Sequence, residues 1–296
     1  MKLDSKLIKI ETHKVPQLLD RIRLSDYAPG IFKSIFSKKG VKKAIKKGFV
    51  TINDDIGFTS DYIIGGETID LYQPNITNNK PTVKLSLDII FEDDYLAIIN
   101  KPAGIIVSGN KKYTLENGLP NVLTKSSQKD ALLRPEPIHR LDYPTSGALL
   151  IGKTTQAVIL LNKMFEERVI IKTYHAITIG KISDNGIIEA SIENKACKSE
   201  YRTIYRLDSR KYESLNLVEL IPHTGRRHQL RIHLASIGTS IFGDLKYGEE
   251  GLTGKGNGLY LHASTLVFSH PITNKEVSIS IQLPKKFLKL FPEAIN

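Results

Sequence analysis

The sequence predicts a mixed α+β protein with a mostly antiparallel sheet, preceded by a small α/β unit at the N-terminus. Three observations lead to this fold class. Short apolar runs separated by turn residues fill the chain after about residue 87, few segments show helical spacing, and a stretch rich in asparagine and proline divides the two regions. Many strands joined by turns, with only a few helices, are typical of an α+β domain.

The composition favours a polyanionic partner. The 296 residues are 41% hydrophobic and 25% charged, and 42 Lys and Arg against 31 Asp and Glu give a net charge of +11. Because no apolar run approaches about twenty residues, we expect nucleic acid rather than a membrane as the partner. A basic protein that is merely soluble would carry the same charge. The single Cys197 and a first segment without a signal-peptide pattern predict a cytoplasmic location.

The first unit is predicted to span residues 13–73. Helical spacing of apolar residues indicates a helix that ends near Gly48, a residue suited to the position just after a helix. The predicted elements are short helices at Asp20–Ile22 and Ile31–Ile35, a longer helix around Val41, Ala44 and Ile45, and strands at Phe49–Asn53 and Ile63–Leu71.

Lysines cover the polar face of the longer predicted helix. A dense basic face can neutralise phosphates without reading sequence, whereas most charged helix faces are simply solvated, and the pattern leaves both interpretations open. If the face binds RNA, Lys42, Lys43, Lys46 and Lys47 are the candidates, and Lys38 and Lys39 extend the same cluster.

Residues 74–86 are predicted to be a linker, and residues 87–290 form the larger domain. Helices are expected around Leu119–Leu123, at Ala157–Phe165 after an N-cap at Thr154 or Thr155, and at His228–Ile237. The rest of 108–136 is predicted to be loop. The predicted strands are Leu87–Glu92, Leu96–Asn100, Ile105–Val107, Ala148–Ile151, Ile170–Ile182, Ile187–Ile192, Glu200–Leu207, Leu215–Ile221, Leu259–Phe268 and Val277–Leu283.

The segment His139–Gly147 concentrates chemical groups before a buried strand. It contains His139, Arg140 and Asp142, followed by a Pro-Thr-Ser-Gly turn and an apolar run. A rigid strand after the turn would hold Asp142 at the edge of a core. By itself, the pair of Asp142 and Arg140 is most simply a structural ion pair, because most charged pairs are structural.

Two further segments offer partners for Asp142. In Thr224–Leu234, Arg227 and Arg231 are one helical turn apart, so both can face one site that holds a carboxylate or a phosphate. A basic surface helix is the alternative. Tyr174 lies in an apolar alternating strand, where a tyrosine is usually part of the core.

Other chemistries lack their patterns. The eight histidines show no recognised zinc spacing, no glycine-rich loop with its lysine supports ATP binding, and Ser146-Gly147 is outside a nucleophile-elbow pattern. No second acid in a comparable context forms a glycosidase pair with Asp142. One aspartate, a basic partner, a tyrosine and a basic surface are left.

The first unit resembles the RNA-binding module first described in a small-subunit ribosomal protein (the ribosomal-protein-S-four-type or alpha-L module), through its basic helix, Lys47–Asn53 and Gly66–Ile69. The larger domain resembles RluA-type pseudouridine synthases over about Leu87–Leu283. Its matching motifs, in order, are Lys101–Gly104, His139–Asp142 with Thr145–Gly147, Lys172–Ala176, Gly225–Arg231, Gly243–Gly248 and Leu261–Ala263.

The resemblance implies roles for single residues. Asp142 would be the catalytic aspartate, Arg231 would pair with its carboxylate and orient it, and Tyr174 would stack on the target base and assist proton removal. Arg140 would displace the target nucleotide and fill its place. The other predicted RNA-contacting residues are His139 and Arg227, with Ile232 and Leu234 as apolar walls.

The resulting prediction is an RNA pseudouridine synthase that flips a uridine out of structured RNA and isomerises it. Breaking and re-forming one glycosidic bond needs no redox step or phosphate transfer, so we expect neither a cofactor nor a metal. Ribosomal RNA is the expected substrate, with transfer RNA open, and we expect a monomer. A non-catalytic RNA-binding factor and a nucleoside hydrolase are the alternatives.

Overall fold

A computed structural model of the chain describes residues 7–35, 37–74, 81–253, 256 and 258–295. The chain divides into two compact units, Met1–Lys80 and Pro81–Asn296. Of the predicted linker at residues 74–86, residues 75–80 lie outside the described residues. Residues 81–86 belong to the second unit and are not a free linker, because the Val83 N–H donates to Asn117 O at 3.0 Å and Arg134 Nη2 donates to Pro81 O at 3.1 Å.

In the first unit, two small sheets and two helices surround one apolar core. Strands β1, β6, β3 and β4 form an antiparallel sheet in that order, and β2 pairs with β5. The elements are β1 Leu7–Lys14, β2 Ile22–Arg23, α1 Leu24–Tyr27, α2 Lys38–Lys46, β3 Val50–Ile52, β4 Asp55–Ile56, β5 Tyr62–Ile63 and β6 Thr68–Pro74.

The structure confirms the predicted basic helix, α2, and shows why it forms. Ser37 caps its start, since the Ser37 hydroxyl accepts the Gly40 N–H at 3.0 Å. Val41, Ala44 and Ile45 are buried, and Gly48 follows the helix with a φ of +70°. The apolar spacing therefore predicted both the helix and its end.

Two other predictions for this unit are wrong. Ile31–Ile35 is not helical, and the predicted helix at Asp20–Ile22 is replaced by β2 and α1. Strand β1 also begins six residues before the predicted boundary at residue 13. The strand was missed because its apolar alternation is short and its partner, β6, is distant in sequence.

The second unit is built on a large, mostly antiparallel sheet, as predicted. Its described strands follow the order β12, β13, β14, β11, β15, β10, β8, β7, with β16 beside β15 and β9 beside β10. The elements are β7 Asp88–Glu92, β8 Leu96–Lys101, α3 Leu115–Gly118, β9 Ala131–Pro137, β10 Ser146–Thr154, α4 Thr155–Glu166, β11 Ile171–Ile179, β12 Asn185–Ile192, β13 Lys195–Ser209, β14 Glu213–Pro222, α5 Gln229–Ser236, β15 Leu261–Ser269, β16 Glu276–Ser280 and α6 Lys285–Leu288.

The segment between β8 and β10 departs most from the prediction. Ile105–Val107 is not a strand and contributes one isolated bridge, from Ile106 to Thr114. The predicted helix at Leu119–Leu123 is a 3-10 turn at Leu119–Asn121 that continues α3. Strand β9 lies where a loop was expected. It was missed because its two prolines disguise the strand pattern and because, among the described strands, it pairs only with β10.

Helix α4 follows β10 directly, and Thr154, one of the two predicted N-cap residues, caps its start. The hydroxyl of Thr154 accepts the Ala157 N–H at 3.2 Å, while Ala157 and Leu161 are buried against the sheet. In the described part of the chain, no helix is long and apolar enough to cross a membrane.

Gly147 fixes the start of β10, where β10 runs parallel to β15. Its φ is +115°, and a Cβ there would lie 2.1 Å from the carbonyl oxygen of Ala263, its partner in β15. Only glycine combines this backbone conformation with so close an approach. The contact fixes the start of β10 on β15, and with it the end of the loop 138–145 that precedes β10.

We predict that Gly147→Ala lowers the free energy of unfolding by about 3 kcal/mol, because the new methyl group strains the backbone and separates β10 from β15. Urea unfolding followed by circular dichroism measures the change. Gly225→Ala is the matched control, since a Cβ there meets no atom within 4 Å. Equal stability of the two variants would contradict the steric argument.

Candidate active site

A cavity of about 300 Å³ opens where the 138–145 loop, β11 and α5 meet. Asp142 lies on the loop, Tyr174 on β11 and Arg231 on α5, so the structure brings together the three residues predicted to be catalytic. The lining residues are His139, Arg140, Leu141, Asp142, Thr145, Phe165, Lys172, Tyr174, Pro222, Thr224, Gly225, Arg226, Arg227, His228, Gln229, Leu230, Arg231 and Leu261.

A buried lysine holds the loop that carries Asp142 through hydrogen bonds to backbone carbonyl oxygens. Lys101 is completely buried, and its Nζ donates to Pro102 O at 2.9 Å and to Tyr143 O at 3.4 Å. The Gly104 N–H donates to the same Tyr143 oxygen at 2.8 Å. Burial lowers the pKa of Lys101 to about 8, although the charge of Asp142 opposes this shift.

Arg231 is clamped between two carboxylates. Its Nε and Nη2 donate to Asp244 Oδ2 and Oδ1 at 2.7 and 2.8 Å, and its Nη1 donates to Asp142 Oδ2 at 3.3 Å. The bidentate pair with Asp244 fixes the plane of the guanidinium, and the remaining nitrogen therefore points to Asp142.

The Asp244 side chain is completely buried, whereas that of Asp142 is 18% exposed. Burial opposes ionisation of Asp244, but hydrogen bonds from Arg231 and from the N–H groups of Lys246 and Tyr247 outweigh burial and hold its pKa below the ordinary value. Burial likewise disfavours the guanidinium of Arg231, but the hydrogen bonds and charge of Asp244 outweigh it and raise the pKa of Arg231.

The structure decides between the two partners considered for Asp142. Asp142 contacts Arg231, which is 89 residues away in the sequence. Arg140 is exposed at the cavity, and among the described contacts it has no ion pair with Asp142. The local structural pair is therefore wrong, and Arg140 is accessible to a ligand.

Tyr174 lines the cavity from β11. Burial raises the pKa of its hydroxyl, and the charge of Asp142 acts in the same direction. The phenol is therefore neutral at physiological pH. A neutral ring suits stacking on a base, whereas the assistance in proton removal that the resemblance implies would have to occur without a phenolate.

His139 lines the cavity and also supports the loop. Its Nε2 accepts the Leu150 N–H at 3.1 Å, and its ring stacks on Phe165 with centroids 4.9 Å apart. Burial, with a smaller effect of Lys172, lowers the pKa of His139 to about 3, so the ring is neutral. Its contacts fit support of the loop better than a charged contact with RNA.

The predictions for α5 are mixed. Arg227 lines the cavity, but Leu234 is completely buried in the core and Ile232 faces an adjacent groove. Leu234 lies one turn past Leu230 and Arg231, beyond the part of the helix that faces the cavity. The apolar wall is formed instead by Leu141, Leu230, Leu261 and Phe165.

Three site residues have no predicted role: Lys101, His228 and Asp244. All three lie in the motifs that carry the family resemblance, and this is the signal that could have found them. His228 Nε2 lies 3.6 Å from Asp142 Oδ1. In the part of the chain that the structure describes, no group of three or more His, Cys, Asp or Glu side chains could hold a metal ion.

Of the four predicted lysines of the first unit, Lys42, Lys43 and Lys46 lie on α2, and Lys47 is the C-cap of this helix. Lys43, Lys46 and Lys47 are exposed, and Lys42 is half-buried. Lys47 Nζ stands 5.8 Å from the centroid of the Phe49 ring. The role of these lysines as RNA contacts stays a prediction.

Comparison with known proteins identifies the family. Residues 95–236 match the RNA pseudouridylate synthase family. The chain is 32% identical to ribosomal large subunit pseudouridine synthase C of Rickettsia bellii, over 90% of this chain and 95% of the relative. It is 33% identical to ribosomal large subunit pseudouridine synthase D of Zymomonas mobilis, over 76% and 77% of the two chains.

A solved structure agrees on the fold. Human RNA Pseudouridylate Synthase Domain Containing 1 superposes with a TM-score of 0.58 at 24% identity, covering 72% of this chain and 89% of the human chain. The fold and the family match define an RNA-modifying isomerase. The chain belongs to the RluA-type branch of the RNA pseudouridine synthase family.

The buried pair predicts different stabilities for two similar substitutions. Asp244→Asn should lower the free energy of unfolding by about 3–5 kcal/mol, because it leaves the buried Arg231 charge without its main partner. Asp142→Asn should lower it by less than about 1 kcal/mol, since Asp142 is partly exposed and makes a single contact with Arg231. Chemical denaturation of both variants measures the difference.

The pH dependence of the free energy of unfolding gives a second measure of the pair between Asp244 and Arg231. Because the pKa of Asp244 is lowered in the folded protein, its contribution to stability is present above the unfolded-state pKa and is lost as the pH falls through the folded-state value. The difference between the wild type and Asp244→Asn should therefore narrow on acidification. A difference that is independent of pH would contradict this account.

Proposed function

We propose that this enzyme isomerises uridine in ribosomal RNA, with Asp142 as its catalytic residue. The observation that carries the proposal is Asp142 held by Arg231 at the wall of a cavity that also contains Tyr174. Relatives named ribosomal large subunit pseudouridine synthases C and D support ribosomal RNA over transfer RNA.

The reaction is balanced without a cofactor. The bond between N1 of uracil and C1′ of the ribose breaks, the base turns, and a bond between C5 and C1′ forms. C5 loses a proton and N1 gains one. In this proposal the Asp142 carboxylate is the nucleophile, at the base or at C1′, and Arg231 keeps the carboxylate aimed.

The other cavity residues fit a flipped nucleotide. Tyr174 offers a neutral ring for stacking on the base, and the exposed Arg140 can occupy the space that the base leaves. The apolar side chains of Leu141, Leu230 and Leu261 exclude water, which prevents the detached uracil from exchanging with solvent.

We predict that Asp142→Asn and Asp142→Ala lower pseudouridine formation at least about 1000-fold, because the nucleophile is lost. RNA affinity should stay within about two-fold, since the surrounding cations are unchanged. Tritium release from uridine labelled at C5 measures the reaction, and filter binding measures affinity. Unchanged product would exclude Asp142 as the catalytic residue, and free uracil in the wild-type reaction would indicate a hydrolase.

The substrate is tested separately by mapping pseudouridines chemically in total RNA from cells with and without the gene. We expect specific sites in ribosomal RNA to disappear. Re-expression of the wild type should restore these sites, and re-expression of Asp142→Ala should not. Loss confined to transfer RNA would contradict the proposed substrate and leave the chemistry intact.

The first unit is proposed to be the RNA-binding module that its sequence resembles. Lys43 and Lys46 are exposed on α2 and Lys47 is exposed at its C-cap, and among the described contacts none of them has a carboxylate partner. In contrast, Lys38 on the same helix is paired with Asp26 at 2.8 Å. Unpaired cations on a rigid helix can each neutralise a phosphate.

We predict that Ala at Lys43, Lys46 and Lys47 together weakens RNA binding and lowers the slope of log affinity against log salt by about 2, since each phosphate contact contributes about 0.7–0.9. The turnover rate at saturating RNA should not change. The matched control replaces three exposed lysines of the second unit, Lys125, Lys129 and Lys275, which among the described contacts also have no carboxylate partner. An equal change of slope in both triple variants would indicate a general charge effect.

A further inference from the structure

His228 has an unusual conformation for a residue that begins a helix. It is the N-cap of α5 with a φ of +57°, in the left-handed region that non-glycine residues seldom occupy. Its side chain makes no capping hydrogen bond to the helix. The ring is directed instead to two side chains, Tyr247 and Asp142. The left-handed conformation therefore places the ring between these two residues as well as starting the helix.

The ring of His228 connects these two residues. Its Nδ1 lies 2.8 Å from the hydroxyl oxygen of Tyr247, and its Nε2 lies 3.6 Å from Asp142 Oδ1. Arg231 contacts the other oxygen, Asp142 Oδ2. Each oxygen of the Asp142 carboxylate is therefore faced by a nitrogen from α5 or its N-cap.

The environment fixes which nitrogen carries the proton. Burial lowers the pKa of His228, so the ring is neutral and has one N–H. A proton on Nε2 faces the carboxylate of Asp142, whereas a lone pair there would be repelled by it. With the proton on Nε2, Nδ1 accepts the hydrogen bond that the Tyr247 hydroxyl donates.

Tyr247 is itself fixed by the buried pair at the centre of the site. Its N–H donates to Asp244 Oδ1 at 3.1 Å, and its ring lies 5.1 Å from the Arg231 guanidinium. The ring of Tyr247 also meets that of His228 edge-on, with centroids 5.6 Å apart and planes at 72°. The hydroxyl that orients His228 is therefore rigidly placed.

We propose that His228 and Tyr247 are positioning residues for Asp142. The Tyr247 hydroxyl selects the tautomer of His228, and the resulting Nε2–H holds Asp142 Oδ1 while Arg231 holds Oδ2. The carboxylate cannot then rotate as it attacks. At 3.6 Å the contact with Nε2 is mainly Coulombic, and a nucleotide that displaces water strengthens it. The inference rests on the proposed catalytic role of Asp142.

Three variants separate this role from a structural one. His228→Gln places an amide N–H near the position of Nε2 and cannot change tautomer. His228→Met has the same unbranched length and the same backbone cost in the left-handed region, but no N–H. Tyr247→Phe keeps the ring against Arg231 and removes only the hydroxyl.

Single-turnover rates at saturating RNA test the proposal. His228→Met should be slower by roughly ten- to one-hundred-fold, with RNA affinity unchanged, because it removes the Nε2–H that faces the charged carboxylate of Asp142. His228→Gln should recover to within about three-fold of the wild type. Tyr247→Phe should lower the rate about ten-fold, but should have no effect when added to His228→Gln, since glutamine needs no tautomer selection.

Equal rates for the Gln and Met variants would overturn the proposal, as would full additivity of Tyr247→Phe with His228→Gln. Unfolding midpoints within about 2 °C of the wild type confirm that the variants are folded. If one variant fails this criterion, the pH dependence of the rate is compared between the two variants that remain folded. Activity of Asp142→Asn would instead refute the proposed function, so the two failures are distinguishable.

Discussion

The buried ion pair between Asp244 and Arg231 is the interaction on which the site depends. A buried guanidinium is costly unless its hydrogen-bond donors are satisfied, and Asp244 satisfies two of its nitrogens while accepting two backbone N–H groups as well. Together these bonds fix the Asp244 carboxylate and, through it, the plane of the Arg231 guanidinium. The third nitrogen of Arg231 is thereby directed at Asp142, which is why a residue without access to the cavity controls the geometry within it.

The other half of the site depends on the sheet. Asp142 lies on the loop before β10, and Arg231 lies on the helix after β14, so the two meet only because β11 and β15 separate these strands by a fixed distance. The close contact of Gly147 with Ala263 sets the start of β10, and Lys101 holds the loop from beneath. A change of register at β15 would therefore separate Asp142 from Arg231.

The sequence predicted what has a local pattern. Alternating or helical apolar spacing located α2, α4, α5 and most strands of the larger sheet. Strand β1 was missed because its apolar alternation is short and its partner is distant, and β9 was missed because it contains prolines. Within the site, Asp142, Tyr174 and Arg231 came from ordered motifs. The error at Ile232 and Leu234 arose because the packing of α5 against the sheet determines which of its residues reach the cavity: Ile232 faces another side of the helix, and Leu234 lies one turn too far along it.

The role of Asp244 was not predicted, although the residue lies in a motif of the family resemblance, because a buried charge has no local pattern and its need for a partner is visible only in three dimensions. Asp244 also determines which ligand Arg231 binds in a cavity that is rich in cations. Arg140, Lys172, Arg226 and Arg227 line the described cavity together with a single acid, Asp142, a balance that attracts phosphates. Arg231 would join those cations and bind phosphate if it were free. Because Asp244 occupies two of its nitrogens in a buried plane, Arg231 stays with Asp142, and the charge that attracts RNA remains separate from the charge that orients the carboxylate.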